Sequence, residues 1–338
     1  MSLLEAPLAG ASLLYGAVAR ARNYFYDRKL LSSYRCGLPV ICAGNLTAGG
    51  NSKTPLCIFL AGLLRQAGHE PVVLSRGYGG KLAGPHVVEH SDLAQQVGDE
   101  PLMLRRLHGL KVVVARERVA GAQLIERERL GSCIIMDDGF QHRRLYRNLD
   151  LVCADVSSQG AVAAFLQGRV LPLGRFREDR DEGLLRADGI VFSARQPRET
   201  ALPLDSDLLR VIPAAVKIFR SYLQPRGVFA LGDGAQVGGG EACAFCSIAS
   251  PQGFFQTLGS IGFSLQWSEA FPDHHSYSQG ELESLLQRSS GRFLICTEKD
   301  AVKIPAGLKD RVHVLRVDLQ VEPARDFAEL VLSCLEKR

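Results

Sequence analysis

Short apolar runs alternate with longer amphipathic stretches along most of this chain. "LPVICAG", "EPVVLSRGYGG", "KVVVA", "CIIMDDG", "LDLVCAD" and "DGIVFSA" carry three or more apolar residues together and stop at glycine or polar residues, the pattern of strands buried on both faces. Between them lie "KTPLCIFLAGLLRQAG", "PLMLRRLH" and "ERVAGAQLIERERLG", where apolar residues recur at helical spacing; the first is closed by Gly68. Such β–α alternation predicts an α/β fold with a mostly parallel sheet and helices on both faces. The alternation breaks over "LQPRG" and "GDGAQVGGGEA", a glycine-rich stretch expected to form a linker over 223–242. It resumes with "CAFCSIA", "PQGFFQTLGSIG", "ELESLLQRSSG", "RFLICTEKDA" and "VHVLRVD", which predict a second, smaller α/β domain over 243–322 across a cleft from the first. "PARDFAELVLSCLEKR" closes the chain as an amphipathic C-terminal helix, 323–338, and the first domain is placed at 31–222.

Residues 1–30 read in two ways. "APLAGASLLYGAVARARNYFYDRKLL" mixes Arg20, Arg22, Arg28 and Lys29 with Tyr24, Phe25 and Tyr26. A basic aromatic helix of this kind lies on an anionic membrane surface or packs on the protein's own core. It lacks a charged region ahead of the apolar run, unlike a signal peptide, and falls short of the roughly 20 apolar residues that a spanning helix needs.

Composition narrows the classes. With 338 residues, 46% of them hydrophobic, the chain has material for two cores. A net charge of +4 gives no bulk electrostatic case for binding nucleic acid. Cys243 and Cys246 are spaced C-A-F-C, but no second pair or nearby histidine completes a zinc site, and scattered thiols fit a reducing cytoplasm.

The chemistry concentrates at the ends of the predicted strands. "GNLTAGGNSKTP" joins a strand to a helix and ends in Lys53-Thr54, like a phosphate loop running from Thr47 through Ala48, Gly49, Gly50, Asn51 and Ser52 to Thr54. Converging amides at a helix start hold phosphate; Lys53 would reach the β- and γ-phosphates and the Thr54 hydroxyl a Mg²⁺ ion. Ser52 stands where the pattern has glycine; if the position demands a positive φ, serine costs about 1 kcal/mol there. Asp137 and Asp138 end a strand where such enzymes place an acidic metal ligand, although Asp138-Gly139 also reads as a plain turn. Asp99 and Glu100 precede a helix; Asp99 is either its N-cap or a proton acceptor facing a cleft. Arg76, Arg116 and Arg118 follow strand ends, where arginine suits phosphate. "FPDHHSY" gathers Asp273, His274 and His275, and "CTEKDAVK" again puts polar groups at a strand's carboxyl end.

Taken in order, "GNLTAGGNSKTP", "SRGYGG", "GDEP", "DDGFQHR", "FPDHHSY" and "TEKDAVK" resemble the tetraacyldisaccharide 4'-kinases of lipid A biosynthesis, the LpxK family, over most of the chain. The resemblance implies a P-loop NTPase-like fold of two α/β domains. It implies ATP and Mg²⁺ as cofactors and transfer of phosphate to the 4'-hydroxyl of a lipid A disaccharide precursor. The enzyme would work peripherally at the cytoplasmic face of the inner membrane, as a monomer without nucleic acid. By the same resemblance Thr47 to Thr54 cradle ATP, Asp99 is the base, His274 pairs with it across the cleft, and Glu100, Asp137 and Asp138 are metal or metal-water partners. Arg76, Arg116 and Arg118 are weaker phosphate contacts. Ser52, where the family has glycine, is a departure, as are "LPLGRFRE" and "AFCSIASP". Two rival readings are a P-loop GTPase or ATPase switch and an inactive lipid-binding homologue. The switch would need an N-K-x-D segment, and "TEKD" has Glu298 in place of the asparagine.

Overall fold

The structure, a computed structural model, describes residues 5–49, 52–194 and 206–336. The chain forms two compact units: residues 1–76, 115–222 and 319–338 make the first, residues 77–114 and 223–318 the second. The expected boundary after residue 222 falls between these units, but two other stretches change sides. Residues 77–114 leave the first stretch to join the second unit, and the C-terminal helix Ala324–Glu336 returns to the first.

In the first unit, strands Pro71–Ser75, Cys133–Asp137, Val40–Asn45, Leu149–Asp155 and Gly189–Ala194 run parallel in that order, and residues 217–222 add the next strand. Apart from Asp155 every residue of the five is buried, which is why each reads as an unbroken apolar run rather than an alternation. Helix Lys53–Gln66 buries Leu56, Cys57, Leu60, Ala61 and Leu64. The C-terminal helix seats Phe327 between Phe59 and Phe219, with ring centroids 5.8 and 4.9 Å away.

The N-terminal helix Glu5–Asp27 is held to this unit by polar bonds rather than by a broad apolar face. Asn23 Nδ2 donates to Glu178 Oε2 at 2.7 Å, Ser12 Oγ donates to the Val170 carbonyl at 2.7 Å, and Arg143 Nη2 reaches Asp27 at 2.6 Å. Glu178 is fully buried and also accepts from Arg186 Nη2 at 2.7 Å and Gln141 Nε2 at 3.0 Å. A carboxylate so enclosed is tolerated because both its oxygens meet donors, one of them the Arg186 guanidinium.

In the second unit, strands Phe263–Ala270, Gly240–Cys246, Phe293–Thr297 and His313–Glu322 pair in parallel in that order. Leu282, Leu285 and Leu286 of helix Gln279–Ser289 cover one face with Phe245 and Val314; Phe254 and Leu258 of helix Pro251–Ser260 cover the other with Ala244 and Ile295. The expected glycine-rich linker is mostly strand. Lys217–Ala230 is one extended segment that folds back at Gln236–Val237 in a short hairpin, and Gly240 already begins the next strand.

Replacing Glu178 with Gln removes the charge that Arg186 answers, and should lower stability by about 3 kcal/mol in urea unfolding. Arg20→Gln breaks ion pairs to Asp179 and Glu182 whose arginine is 59% exposed, and should change it by less than about 1 kcal/mol.

Candidate active site

The loop after strand Val40–Asn45 is clamped before it reaches the helix. Ala48 N donates to the Arg175 carbonyl at 2.6 Å, Arg177 N to the Leu46 carbonyl at 2.7 Å, and Thr47 pairs with Phe176. Asn45 Nδ2 donates to the Gly49 carbonyl at 2.6 Å. Gly50 and Asn51 lie outside the described residues. Ser52 caps helix Lys53–Gln66 from the left-handed region, with φ 81° and ψ −3°, so the position does call for glycine-like backbone. Its hydroxyl is buried and bonded to the Ser193 hydroxyl, which compensates part of the strain.

Lys53 and Thr54 open the helix, and Lys53 Nζ lies 3.4 Å from the Gly49 carbonyl and 3.5 Å from Asp138 Oδ1. Arg177 Nη1 approaches both oxygens of Asp138, at 3.0 and 3.2 Å. Burial pushes the Asp138 carboxyl up, but Lys53 and then Arg177 outweigh it and hold it below the usual carboxylate range. Asp137, one residue earlier, accepts from Ser75 Oγ at 3.3 Å. Burial and then the charges of Arg118, Arg144, Arg147 and Arg76 push His142 down to about 4, a sign of how positive this end of the sheet is. Arg118 is buried and donates to the Ala115 carbonyl at 2.8 Å, so it braces the backbone; Arg76 and Arg116 are exposed.

The second unit holds a separate arrangement around Asp99. The residue before it, Gly98, has φ 97°, and a Cβ there would sit 2.6 Å from the Tyr78 carbonyl oxygen. Only glycine lets the chain turn there into helix Asp99–Arg106, and Gly98, not Asp99, is the N-cap. Freed from capping, Asp99 Oδ2 meets His274 Nδ1 at 3.1 Å and Lys303 Nζ at 3.0 Å. Burial raises the Asp99 pKa, but the bond to His274 and the charge and bond of Lys303 prevail and hold it below the ordinary carboxylate value. On the far side of the ring, Lys299 Nζ lies 3.3 Å from His274 Nε2. A carboxylate oxygen can only accept, so His274 Nδ1 donates to Asp99. Lys299 also bonds Asp273 at 2.8 Å and stands 3.9 Å from Glu100. Among the described residues six that are not glycine have positive φ, and three of these are Ser52, Asp138 and His274. Backbone strain gathers where chemistry is expected.

A model of the LpxK family, described as tetraacyldisaccharide-1-P 4'-kinase, matches residues 4–336. The chain belongs to this family. A tetraacyldisaccharide 4'-kinase of a Bradyrhizobium species, strain BTAi1, is 38% identical over 305 residues, covering 90% of this chain and 81% of that protein. One from Syntrophus aciditrophicus is 35% identical over 349 residues, covering 96% and 91%. The crystal structure of LpxK from Aquifex aeolicus in complex with ATP aligns with a TM-score of 0.80 and 26% identity, over 98% of this chain and 100% of that one.

Against this family background, the first unit brings together Thr47, Ala48, Gly49, Ser52, Lys53, Thr54, Asp137 and Asp138, and the second unit holds Asp99, Glu100 and His274. His274 therefore meets Asp99 inside one unit, not across a cleft, because residues 77–114 fold with the second unit. Four participants were not singled out from the sequence: Arg177, Ser193, Lys299 and Lys303. The run "LPLGRFRE" and the two lysines of "TEKDAVK" carried the signal; Ser193, buried in a strand, carried none.

Replacing Ser52 with glycine removes the left-handed penalty but orphans the Ser193 hydroxyl. Those effects are each about 1 kcal/mol and opposed, so urea unfolding should leave stability within about 1 kcal/mol of the parent. Ser52→Ala keeps the strain and loses the bond, and should fall by about 1–2 kcal/mol.

Proposed function

We propose that this chain is an ATP-dependent kinase that phosphorylates the 4'-hydroxyl of the tetraacyldisaccharide 1-phosphate precursor of lipid A, with the loop ending at Lys53-Thr54 as donor site and Asp99 as base. The observation that carries the reading is Asp99 itself. It is taken off the capping duty that its sequence position suggests, and is kept ionised by donors from His274 and Lys303.

In this mechanism the amides of the loop and Lys53 hold the β- and γ-phosphates and stabilise the charge that spreads over the transferring group, the main source of catalysis in such chemistry. Arg177 and Lys53 together balance Asp138. Asp99 accepts the proton of the sugar hydroxyl as its oxygen bonds to phosphorus and the β–γ bridge breaks. His274 keeps the carboxylate turned to that task. No cluster of three His, Cys, Asp or Glu residues that could hold a metal occurs among the described residues. Two carboxylates and a hydroxyl of the first unit, Asp137, Asp138 and Thr54, are hard oxygen donors suited to a Mg²⁺ ion that takes its other ligands from phosphate and water, while Glu100 belongs to the second unit. Such an ion neutralises phosphate charge when bound.

The GTPase-switch reading loses ground on "TEKD". With Glu298 in the asparagine position the guanine-reading carboxylate position falls on Ala301, and the neighbouring Asp300 is fully buried and bonded to Ser247, Thr297 and Tyr277. A single chain carries the donor loop, the base and its histidine, so we take the enzyme to act as a monomer.

An acceptor with several acyl chains stays in the bilayer, so the enzyme must come to the cytoplasmic face of the inner membrane. Along the N-terminal helix Leu13, Leu14 and Val18 are 77, 69 and 63% exposed, and Tyr24, Phe25, Leu30 and Leu31 extend this apolar surface. Arg22, Arg28 and Lys29 accompany it. No described helix is long and apolar enough to cross a membrane. The reading is a peripheral helix whose apolar face enters the interface while its polar edge stays bonded to Glu178.

Asp99→Asn should lower kcat by at least about 100-fold in a phosphate-transfer assay while ATP binding, followed by calorimetry, stays within about twofold; normal turnover would end the base assignment. The triple change Leu13→Gln, Leu14→Gln and Val18→Gln should abolish co-sedimentation with anionic phospholipid vesicles and leave ATP binding unchanged. Undiminished co-sedimentation would rule the helix out as the docking element.

A further inference from the structure

We infer that Lys303 is a positioning residue for Asp99, orienting its carboxylate by a buried bond to the same oxygen that His274 approaches. This deepens the proposed function and rests on Asp99 being the base.

The geometry around Lys303 leaves it little freedom. Its side chain is 6% exposed, and its ammonium faces Asp99 Oδ2 at 3.0 Å, Ser247 Oγ at 2.8 Å, the His275 carbonyl at 3.0 Å and Asp300 Oδ1 at 3.4 Å. The Tyr277 ring centroid lies 5.6 Å from Nζ. Three donors meet four acceptors, so no rotamer turned elsewhere would satisfy the group. Those acceptors are themselves fixed: Asp300 takes hydroxyl bonds from Ser247, Thr297 and Tyr277.

A purely structural lysine, present as counter-ion to buried Asp300, would sit closest to that carboxylate. Here Asp300 already has three hydroxyl donors, and Lys303 stands nearer Asp99 than Asp300. Both Lys303 and His274 bond Oδ2 of Asp99, and Oδ1 takes part in neither bond. Two donors on one oxygen, arriving from different elements, fix the plane of the carboxylate and reserve the other oxygen for the substrate proton. Near-attack geometry of this kind tolerates little displacement, and its loss appears in turnover rather than in binding.

The sequence agrees with this division of labour. Lys299 lies in the short helix Glu298–Ala301 and Lys303 in the turn that follows it, four residues on in "TEKDAVK". The first touches the far nitrogen of His274, the second the oxygen of Asp99. One short segment thus braces the pair from both ends.

The test uses the full-length protein, ATP and tetraacyldisaccharide 1-phosphate in detergent micelles. Lys303→Met should lower kcat about 100-fold with KM for both substrates within about twofold, and Lys303→Arg should recover most of the loss. In an Asp99→Asn background, Lys303→Met should cost less than about threefold more. A full further 100-fold loss there would mean that Lys303 acts independently of Asp99 and would overturn the inference, as would normal turnover of Lys303→Met. Should removal of the lysine unfold the protein by stranding Asp300, the pair Asp300→Asn with Lys303→Met is compared with Asp300→Asn alone, and the same 100-fold drop is expected. Normal turnover of Asp99→Asn would remove the base assignment itself, whereas an inactive Asp99→Asn beside a normal Lys303→Met would remove only the role of Lys303.

Discussion

An ionised carboxylate inside a protein is costly by several kcal/mol unless cations or hydrogen-bond donors come with it. Much of the local architecture here answers that demand. Asp138 is balanced by Lys53 and Arg177, Asp99 by His274 and Lys303, and Glu178 by Arg186, Asn23 and Gln141. In the first two cases the result is a charged oxygen kept at residues proposed to serve the reaction. In the third it is a structural lock between the N-terminal helix and the body of the first unit.

These arrangements explain departures that look like defects in the sequence. Ser52 occupies a left-handed position that favours glycine, yet its hydroxyl finds Ser193 in strand Gly189–Ala194. The run "GRFRE" is more than a connection: its backbone clamps residues 46–48, Arg177 steadies Asp138 and Glu178 anchors the first helix. A change in this run would therefore reach the phosphate loop and the N-terminal helix together.

The N-terminal helix also shows that the two readings of residues 1–30 need not compete. Its polar contacts run along one edge, through Ser12, Asn23 and Asp27, while leucine, valine and aromatic side chains remain exposed elsewhere. A helix fixed by hydrogen bonds keeps its apolar side chains available for another surface; one fixed by hydrophobic packing would have used them up.

The strands of the first unit were legible from sequence because both their faces are buried, which writes them as continuous apolar runs. Strand Phe263–Ala270, at a sheet edge, has no such run: only Phe263 is buried and the rest of "FSLQWSEA" alternates half-buried with exposed residues, the pattern of an edge strand. Lys217–Ala230 was missed, interrupted as it is by polar residues and Pro225. The loop, the lysine and the strand-end aspartates could be named from motifs set by local spacing and residue type; the pairing of Asp99 with His274, 175 residues away, was implied only by the family resemblance. Tertiary structure alone decided that residues 77–114 fold with 223–318, which puts Asp99 and His274 in one unit, and that Arg177, Ser193 and Lys303 are their partners' partners. Such contacts join residues more than a hundred positions apart, or lie within runs whose local pattern reads as ordinary turn or strand. Their physical basis is the closure of long loops, which no local periodicity records.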